Sequence, residues 1–151
     1  MAVDTFVRAA DENGLVFEIR EMDDTTHTAL DAANALGCPV EAIVKSLLFI
    51  AIDEPVLVLA SGPNRVDTEL VAGIVGVPVE MADAKSVKRV TGYSIGGVPP
   101  LGHPLPIRTV MDETLLGLDV VWAAAGSAKA VFPIEPTRLA ELVSATVGRV
   151  S

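Results

Sequence analysis

The stretch IVKSLLFIAIDEPVLVLA, residues 43–60, decides the fold of this chain. It contains two apolar, β-branched runs, Ile43 to Ile52 and Pro55 to Ala60, which are typical of buried strands. The polar pair Asp53-Glu54 separates the runs, so the pattern predicts a β-hairpin. Because the first run is apolar on both faces, we expect it to be a central strand of a sheet.

Helix and strand signals surround this hairpin on both sides. Caps, glycine stops and apolar spacing predict helices over Thr5 to Asn13, Thr28 to Leu36, Pro39 to Ala42, Asp67 to Val75, Asp83 to Thr91 and from Pro136 onward. Further strands are predicted over Leu15 to Met22, Val77 to Met81, Ile107 to Met111, Leu118 to Ala124 and Ala130 to Ile134. The pattern predicts one α+β domain over residues 1–151, with a mixed, largely antiparallel, curved sheet surrounded by helices.

The composition excludes several classes of protein. Half of the residues are hydrophobic, and no apolar run reaches the ~20 residues that cross a bilayer. The acidic N-terminal stretch is unlike a secretory signal, so we expect a cytoplasmic protein without a membrane partner. A single cysteine, Cys38, and two histidines at unrelated positions, His27 and His103, give no metal-site spacing. We therefore expect neither a metal nor another cofactor.

The charge is unevenly distributed along the chain. The formal net charge of −9 argues against non-specific coating of nucleic acid. Residues 1–31 hold eight acids and two arginines, a net of −6, whereas residues 84–111 hold four basic residues and no acid. Three of these four, Lys85, Lys88 and Arg89, fall on one predicted helix. They are either a solvated helix face or a contact for an anionic ligand.

Lys45 lies within the most apolar predicted strand. A buried ammonium costs several kcal/mol unless it is paired or faces a cleft. The alternative is a lysine whose side chain extends to water at the end of the strand. The strand pattern alone favours neither interpretation.

The segment from Gly92 to Pro106 is the second candidate site. Residues 91–106 contain four glycines and four prolines, a density that excludes regular structure and is typical of functional loops. Paired glycines allow the backbone to approach a ligand and direct N–H groups at it. His103 near the end of this loop is a candidate acid, base or hydrogen-bond donor, although a lone histidine is more often structural.

Two further positions are weaker candidates for binding substrate. Asp112 follows a predicted strand and either binds a hydroxyl group or caps a turn, with capping favoured. Gly126-Ser127 interrupts two predicted strands and is explained equally well by ligand binding and by a hairpin turn.

Three of these segments resemble the YbaK/prolyl-tRNA-synthetase-associated editing domain family. They are Ile43 to Leu47, Val58 to Asp67 and the loop from Thr91 to Gly102, and the resemblance extends from about Thr25 to Val143. It implies an aminoacyl-tRNA deacylase that acts in trans on the acceptor end of mischarged tRNA, of the proline-tRNA type, with prolyl-tRNA synthetase as a possible partner. The segment Gly97 to His103 differs from the Ser-Pro version of the cysteine-editing branch, so a cysteine substrate is not carried over.

The resemblance also assigns roles to residues. Lys45 matches the key strand lysine of the family, and Gly96 to Pro100 matches its G-x-x-x-P loop. We expect Lys45 to anchor the terminal phosphate or the amino-acid end, and Gly96 and Gly97 to stabilise the oxyanion with their N–H groups. Pro100 is expected to form the pocket wall opposite Lys45. His103, Asp112, Gly126 and Ser127 are the further substrate-binding candidates, and Lys85, Lys88 and Arg89 the tRNA contacts.

Two other functions are compatible with the sequence. One is an accessory module that binds tRNA ends or aminoacyl groups without hydrolysis. The other is a regulator that binds a nucleotide or small anion in the glycine-rich loop. The sequence does not determine the amino acid removed or the oligomeric state.

Overall fold

The computed structural model describes residues 2–12, 14–15, 17–23 and 28–151. In this part of the chain the helices are α1 (Ala2–Glu12), α2 (Ala29–Leu36), α3 (Thr68–Val75), α4 (Ala84–Thr91) and α5 (Pro136–Leu142), with short 3₁₀ helices at Val40–Ala42 and Glu113–Gly117. The strands are β1 (Arg20–Glu21), β2 (Val44–Ala51), β3 (Glu54–Ser61), β4 (Glu80–Met81), β5 (Arg108–Asp112), β6 (Val121–Ser127), β7 (Ala130–Ile134) and β8 (Thr146–Gly148).

The predicted hairpin is confirmed as β2 and β3, which pair antiparallel along their whole length. Ala51 pairs with Glu54, so the turn residues are Ile52 and Asp53 rather than the predicted Asp53 and Glu54. Both have positive φ, 47° and 65°. Two successive positive φ values are characteristic of a type I′ turn, whose twist matches that of the flanking strands. An isoleucine at such a position is unusual, so the sequence did not indicate it.

The strands form two sheets, and the predicted α+β class with mixed, largely antiparallel pairing is confirmed. One sheet has the order β4-β2-β3-β5-β8, with β3, β5 and β8 parallel, and the other has the antiparallel order β1-β7-β6. A single bridge between Ile43 and Trp122 links the two sheets. One hydrophobic core fills the space between the sheets, and a smaller core packs around α3 on the other side of β2 and β3.

Local capping explains where several helices begin and end. Side chains of Thr28, Asp67 and Asp83 accept hydrogen bonds at the N-termini of α2, α3 and α4. A glycine with positive φ follows each of these helices, as the sequence predicted. α5 begins at the predicted Pro136.

The N-terminal prediction was only partly correct. α1 begins at Ala2, earlier than the predicted Thr5, and the predicted last residue, Asn13, lies outside the described residues. The predicted strand Leu15 to Met22 was too long: only Arg20 and Glu21 pair with β7, while Phe17 is held by aromatic contacts with Phe6 and Phe132. Within it, Val16 lies outside the described residues. The sequence pattern also missed β8, three residues that pair with β5.

Candidate active site

An apolar cavity of about 380 Å³ lies beside β2 and contains Lys45 in its lining. This volume falls within the range of small-molecule sites. Its walls come from α2, β2, β4, α4, the loop before β5, and β6 and β7. The lining residues include Thr28, Ala29, Ala32, Ile43, Val44, Lys45, Ser46, Leu47, Leu48, Met81, Ala82, Val87, Ile95, Gly96, Val98, Trp122, Ala124, Ala128 and Val131.

The Lys45 side chain is half-buried and fixed by a hydrogen bond. Its Nζ donates to the backbone oxygen of Asn64 at 2.6 Å. Burial lowers the pKa of the ammonium, and the negative charge of Asp112 partly counteracts this shift. The ammonium is therefore held in the protein by a backbone acceptor and a nearby carboxylate, instead of extending freely into water.

Asp112 organises the chain around Lys45 rather than binding substrate directly. The residue is 1 % exposed, and its Oδ2 accepts from the Ser61 N–H at 3.0 Å and from the Asn64 side-chain amide at 2.9 Å. Its Oδ1 accepts from the Thr114 N–H at 3.0 Å and so caps a 3₁₀ helix. Burial opposes ionisation, but these hydrogen bonds outweigh it and lower the pKa of the carboxyl. Because both oxygens are occupied by protein donors, the predicted substrate contact is replaced by a positioning role.

The two loop glycines have different roles. Gly96 has φ 88° and lines the cavity, and its N–H has no acceptor within the described parts of the chain. The Gly97 N–H instead donates to the Ser94 oxygen at 3.0 Å, so it is not free to stabilise an oxyanion as predicted. A Cβ at Gly97 would lie 2.9 Å from the Cα of Ser127, which shows that the loop packs directly on the end of β6.

Pro100 and His103 lie around a different cavity. This second cavity, of about 490 Å³, is lined by the end of the loop, the start of β5 and the segment after α5. The prediction that Pro100 forms the wall opposite Lys45 was therefore wrong. His103 Nε2 is 2.8 Å from the Pro99 oxygen, and burial lowers the pKa of its imidazole while this hydrogen bond opposes the shift. A long, irregular loop contributes to two cavities because its bends direct its two halves to different neighbours.

Gly126 and Ser127 are the last two residues of β6, where its pairing with β7 is irregular, and neither is among the residues that line the Lys45 cavity. A Cβ at Gly126, where φ is 104°, would lie 2.5 Å from the Ala2 oxygen, so glycine allows α1 to pack here. The Ser127 Oγ accepts from the Lys129 N–H at 3.1 Å. Both residues are thus explained by the β6–β7 hairpin, whose turn is the following pair Ala128-Lys129, and nothing in this geometry supports a substrate contact.

The basic residues of α4 lie next to the cavity. Lys85, Lys88 and Arg89 are exposed, whereas Val87 of the same helix is buried and lines the cavity. Lys88 Nζ donates to the Gly92 oxygen at 3.2 Å, close to the helix C-terminus. α4 therefore presents a basic outer face beside the wall of the cavity.

Sequence reasoning missed three contributors to the site. The α2 wall carries no polar signal in its sequence, and neither Ser46, beside Lys45, nor Asn64 stands out from its neighbours in the sequence. Within the described residues no group of three or more His, Cys, Asp or Glu side chains is placed to hold a metal ion. No helix in the same part of the chain is long and apolar enough to span a bilayer.

Comparisons with known proteins place this geometry in a family. The model of the aminoacyl-tRNA editing domain matches residues 23–142. A solved protein proposed to be a trans-editing enzyme for prolyl-tRNA synthetase superposes with a TM-score of 0.95 at 38 % identity, covering 99 % of this chain and 96 % of that one.

Sequence relatives agree with this match. Uncharacterized protein YwhH of Bacillus subtilis is 28 % identical over 125 residues, 82 % of this chain and 80 % of that protein. Proline--tRNA ligase of Lactobacillus acidophilus is 30 % identical over 83 % of this chain, which spans only 22 % of that ligase. The resemblance inferred from the sequence is thus confirmed: the chain belongs to the aminoacyl-tRNA editing domain family.

Proposed function

We propose that this chain is an aminoacyl-tRNA deacylase that hydrolyses, in trans, the ester of a mischarged tRNA of the proline type. The observation that carries the proposal is Lys45, which lines a largely apolar cavity of about 380 Å³ and whose ammonium is fixed by the Asn64 oxygen. Membership of the editing family and likeness to a proposed trans-editing enzyme support it.

The reaction needs water, a polarised carbonyl and a stabilised oxyanion. Water attacks the carbonyl carbon, the bond to the ribose oxygen breaks, and the proton from water ends on that oxygen. The products are a free amino acid and a tRNA with an intact terminal hydroxyl. In this proposal the positive charge of Lys45 anchors the aminoacyl or phosphate end of the substrate and favours negative charge at the carbonyl oxygen. The Gly96 N–H, which has no acceptor among the described residues, is the candidate second donor.

The cavity is expected to select substrates by size. Its walls are mostly aliphatic, from Ile43, Val87 and Val98 among others, so they recognise shape rather than polar pattern. One methylene in such a pocket is worth about 1–3 kcal/mol. Discrimination between small amino acids is therefore modest, and larger side chains are excluded by contact with the walls.

The tRNA is expected to meet the basic face of α4. A chain with net charge −9 repels phosphate over most of its surface, so Lys85, Lys88 and Arg89 supply a local, weak contact. A prolyl-tRNA synthetase partner and a cytoplasmic location are parts of the same proposal. So is independence of metals and cofactors, which activity in the presence of EDTA would check.

The test is turnover of a panel of alanyl-, cysteinyl-, seryl- and threonyl-tRNAs. We expect the wild-type protein to release at least one amino acid, and Lys45→Ala to reduce that rate about 100-fold or more, as loss of one oxyanion-stabilising group does elsewhere. Arg138→Ala is the matched control, because Arg138 is an exposed cation on α5 outside the cavity lining. If the wild-type protein releases none of the four, the enzyme proposal fails. Tight binding without turnover would then favour an accessory module.

A further inference from the structure

Ser46 carries a hydroxyl group for which the described residues supply no partner. Within the described parts of the chain it is the one buried side-chain nitrogen or oxygen with no hydrogen bond. The residue as a whole is half-buried and lines the cavity that contains Lys45. An unsatisfied buried hydroxyl is costly, so a ligand that supplies its partner gains affinity.

The backbone N–H and C=O groups of Ser46 point to the edge of β2 that lies next to β4. The Leu48 oxygen accepts from the Ala82 N–H at 3.0 Å, on the edge of β2 next to β4. Residues two apart in a strand direct their N–H and C=O groups to the same edge, so those of Ser46 point there as well. β4 pairs with β2 only at Phe49 and Ile50, and no described strand pairs with Ser46 on this edge.

Ser46 and Lys45 lie on opposite faces of one strand. Side chains alternate along β2, so Ser46 shares a face with Val44 and Leu48, both in the core between the sheets. Lys45 is directed to the other face, where it reaches Asn64. Both residues nevertheless line the same cavity, so one ligand there can meet a cationic residue and a neutral hydroxyl.

An aminoacyl ester carries a group that needs such acceptors. Its α-amino group donates hydrogen bonds and is repelled by the Lys45 ammonium. Three other side-chain oxygens near the site already accept from protein donors: Thr28 Oγ1 from the Asp31 N–H, and the two carboxylate oxygens of Asp112 from the Ser61 and Thr114 N–H groups.

We propose that Ser46 binds the α-amino group of the aminoacyl ester and thereby orients the ester carbonyl toward Lys45. This inference rests on the proposed deacylase function. It assigns Ser46 a role common to all aminoacyl substrates, as opposed to recognition of a particular side chain.

The test compares Ser46→Ala and Ser46→Thr on alanyl-tRNA, seryl-tRNA and N-acetyl-alanyl-tRNA. Ser46→Ala should lower kcat/KM about 10- to 100-fold on both free-amine substrates and leave the acetylated substrate nearly unaffected. Ser46→Thr keeps the hydroxyl and should retain most activity. Because the hydroxyl has no partner among the described residues, Ser46→Ala should not lower the thermal midpoint, which separates a substrate contact from a structural one.

Two results would overturn the inference. An equal loss on acetylated and free-amine substrates would mean that Ser46 acts through the fold. A loss confined to seryl-tRNA would mean that the hydroxyl contacts the substrate side chain.

A binding experiment separates failure of this inference from failure of the deacylase proposal. The probe is 3′-alanylamido-3′-deoxyadenosine, whose amide is not hydrolysed, compared with its N-acetyl form. We expect the wild-type protein to bind the free amine about 10-fold more tightly or better, and Ser46→Ala to remove this preference. Equal binding of the two probes, or binding of neither, contradicts the role of Ser46 whether or not any tRNA is turned over.

Discussion

Replacing Asp112 with asparagine tests the cluster that holds the Lys45 loop. The substitution keeps the shape of the side chain but exchanges one acceptor oxygen for an amide donor. The carboxylate accepts three hydrogen bonds, from the Ser61 N–H, the Asn64 amide and the Thr114 N–H. Asparagine can keep two of them if its oxygen takes the place of Oδ2, and its amide then faces the Thr114 N–H, donor against donor.

The expected loss in the free energy of unfolding follows from these three hydrogen bonds. A hydrogen bond to a charged group is worth about 1.5–3 kcal/mol and a neutral one about 0.5–1.5 kcal/mol. Two bonds therefore weaken by about 1 kcal/mol each, and the third is lost, for a total of about 3–5 kcal/mol. With a urea m value of about 2 kcal/mol/M, the unfolding midpoint should fall by about 2 M.

Urea unfolding across a range of pH measures this prediction. The pKa of Asp112 is lowered in the fold, so its stabilisation is present above the ordinary carboxyl pKa of 3.8 and is lost as pH falls through the lower value in the folded state. The difference between wild type and Asp112→Asn should hence be constant near neutral pH and shrink under acid conditions. Asp119→Asn, at an exposed carboxylate, is the control and should change stability by less than about 0.5 kcal/mol.

The same variant should alter the behaviour of Lys45. The negative charge of Asp112 raises the pKa of the ammonium, so its removal should lower that pKa further. If turnover depends on the charged form, its alkaline limit should move to lower pH. An unfolding midpoint within about 0.3 M of wild type, where a drop of about 2 M is expected, would refute the interpretation of Asp112 as the organiser of this loop.

Three other perturbations follow from the structure. Gly97→Ala places a Cβ 2.9 Å from the backbone at the end of β6 and should cost about 1–3 kcal/mol in thermal unfolding. Gly117→Ala, with no atom within 4 Å, should be nearly neutral, and equal effects of the two variants would contradict the packing argument. His103 has a pKa lowered by burial, so the unfolded chain takes up its proton first and stability should fall as pH drops below 6.5. His103→Gln should reduce this dependence of the unfolding free energy on pH. An unchanged pH dependence would mean that other groups cause it. The double charge reversal Lys88→Glu with Arg89→Glu should raise KM for tRNA about 10-fold at low salt and lose its effect at high salt; a salt-independent change would exclude α4 as a phosphate contact.

Much of the fold follows from local sequence signals. The capping side chains and the glycines that follow α2, α3 and α4 act within a few residues of the chain, so they are visible in sequence. The β2–β3 hairpin is visible because its apolar runs are long and adjacent. β8 and the short extent of β1 are not visible in the sequence, because β8 depends on its pairing with β5 and β1 on its pairing with β7.

The candidate site also combines features that are visible in the sequence with features that depend on tertiary contacts. By itself the sequence determined the editing family, and it singled out the strand around Lys45 and the glycine-rich loop. It could do so because the segments involved are contiguous patterns. Only the tertiary structure decided that Pro100 and His103 line another cavity and that Asp112 accepts from Ser61 and Asn64. It also decided that the Ser46 hydroxyl meets no partner within residues 2–12, 14–15, 17–23 and 28–151. Each of these depends on which donors meet which acceptors between segments up to 51 residues apart, and no local pattern encodes that pairing.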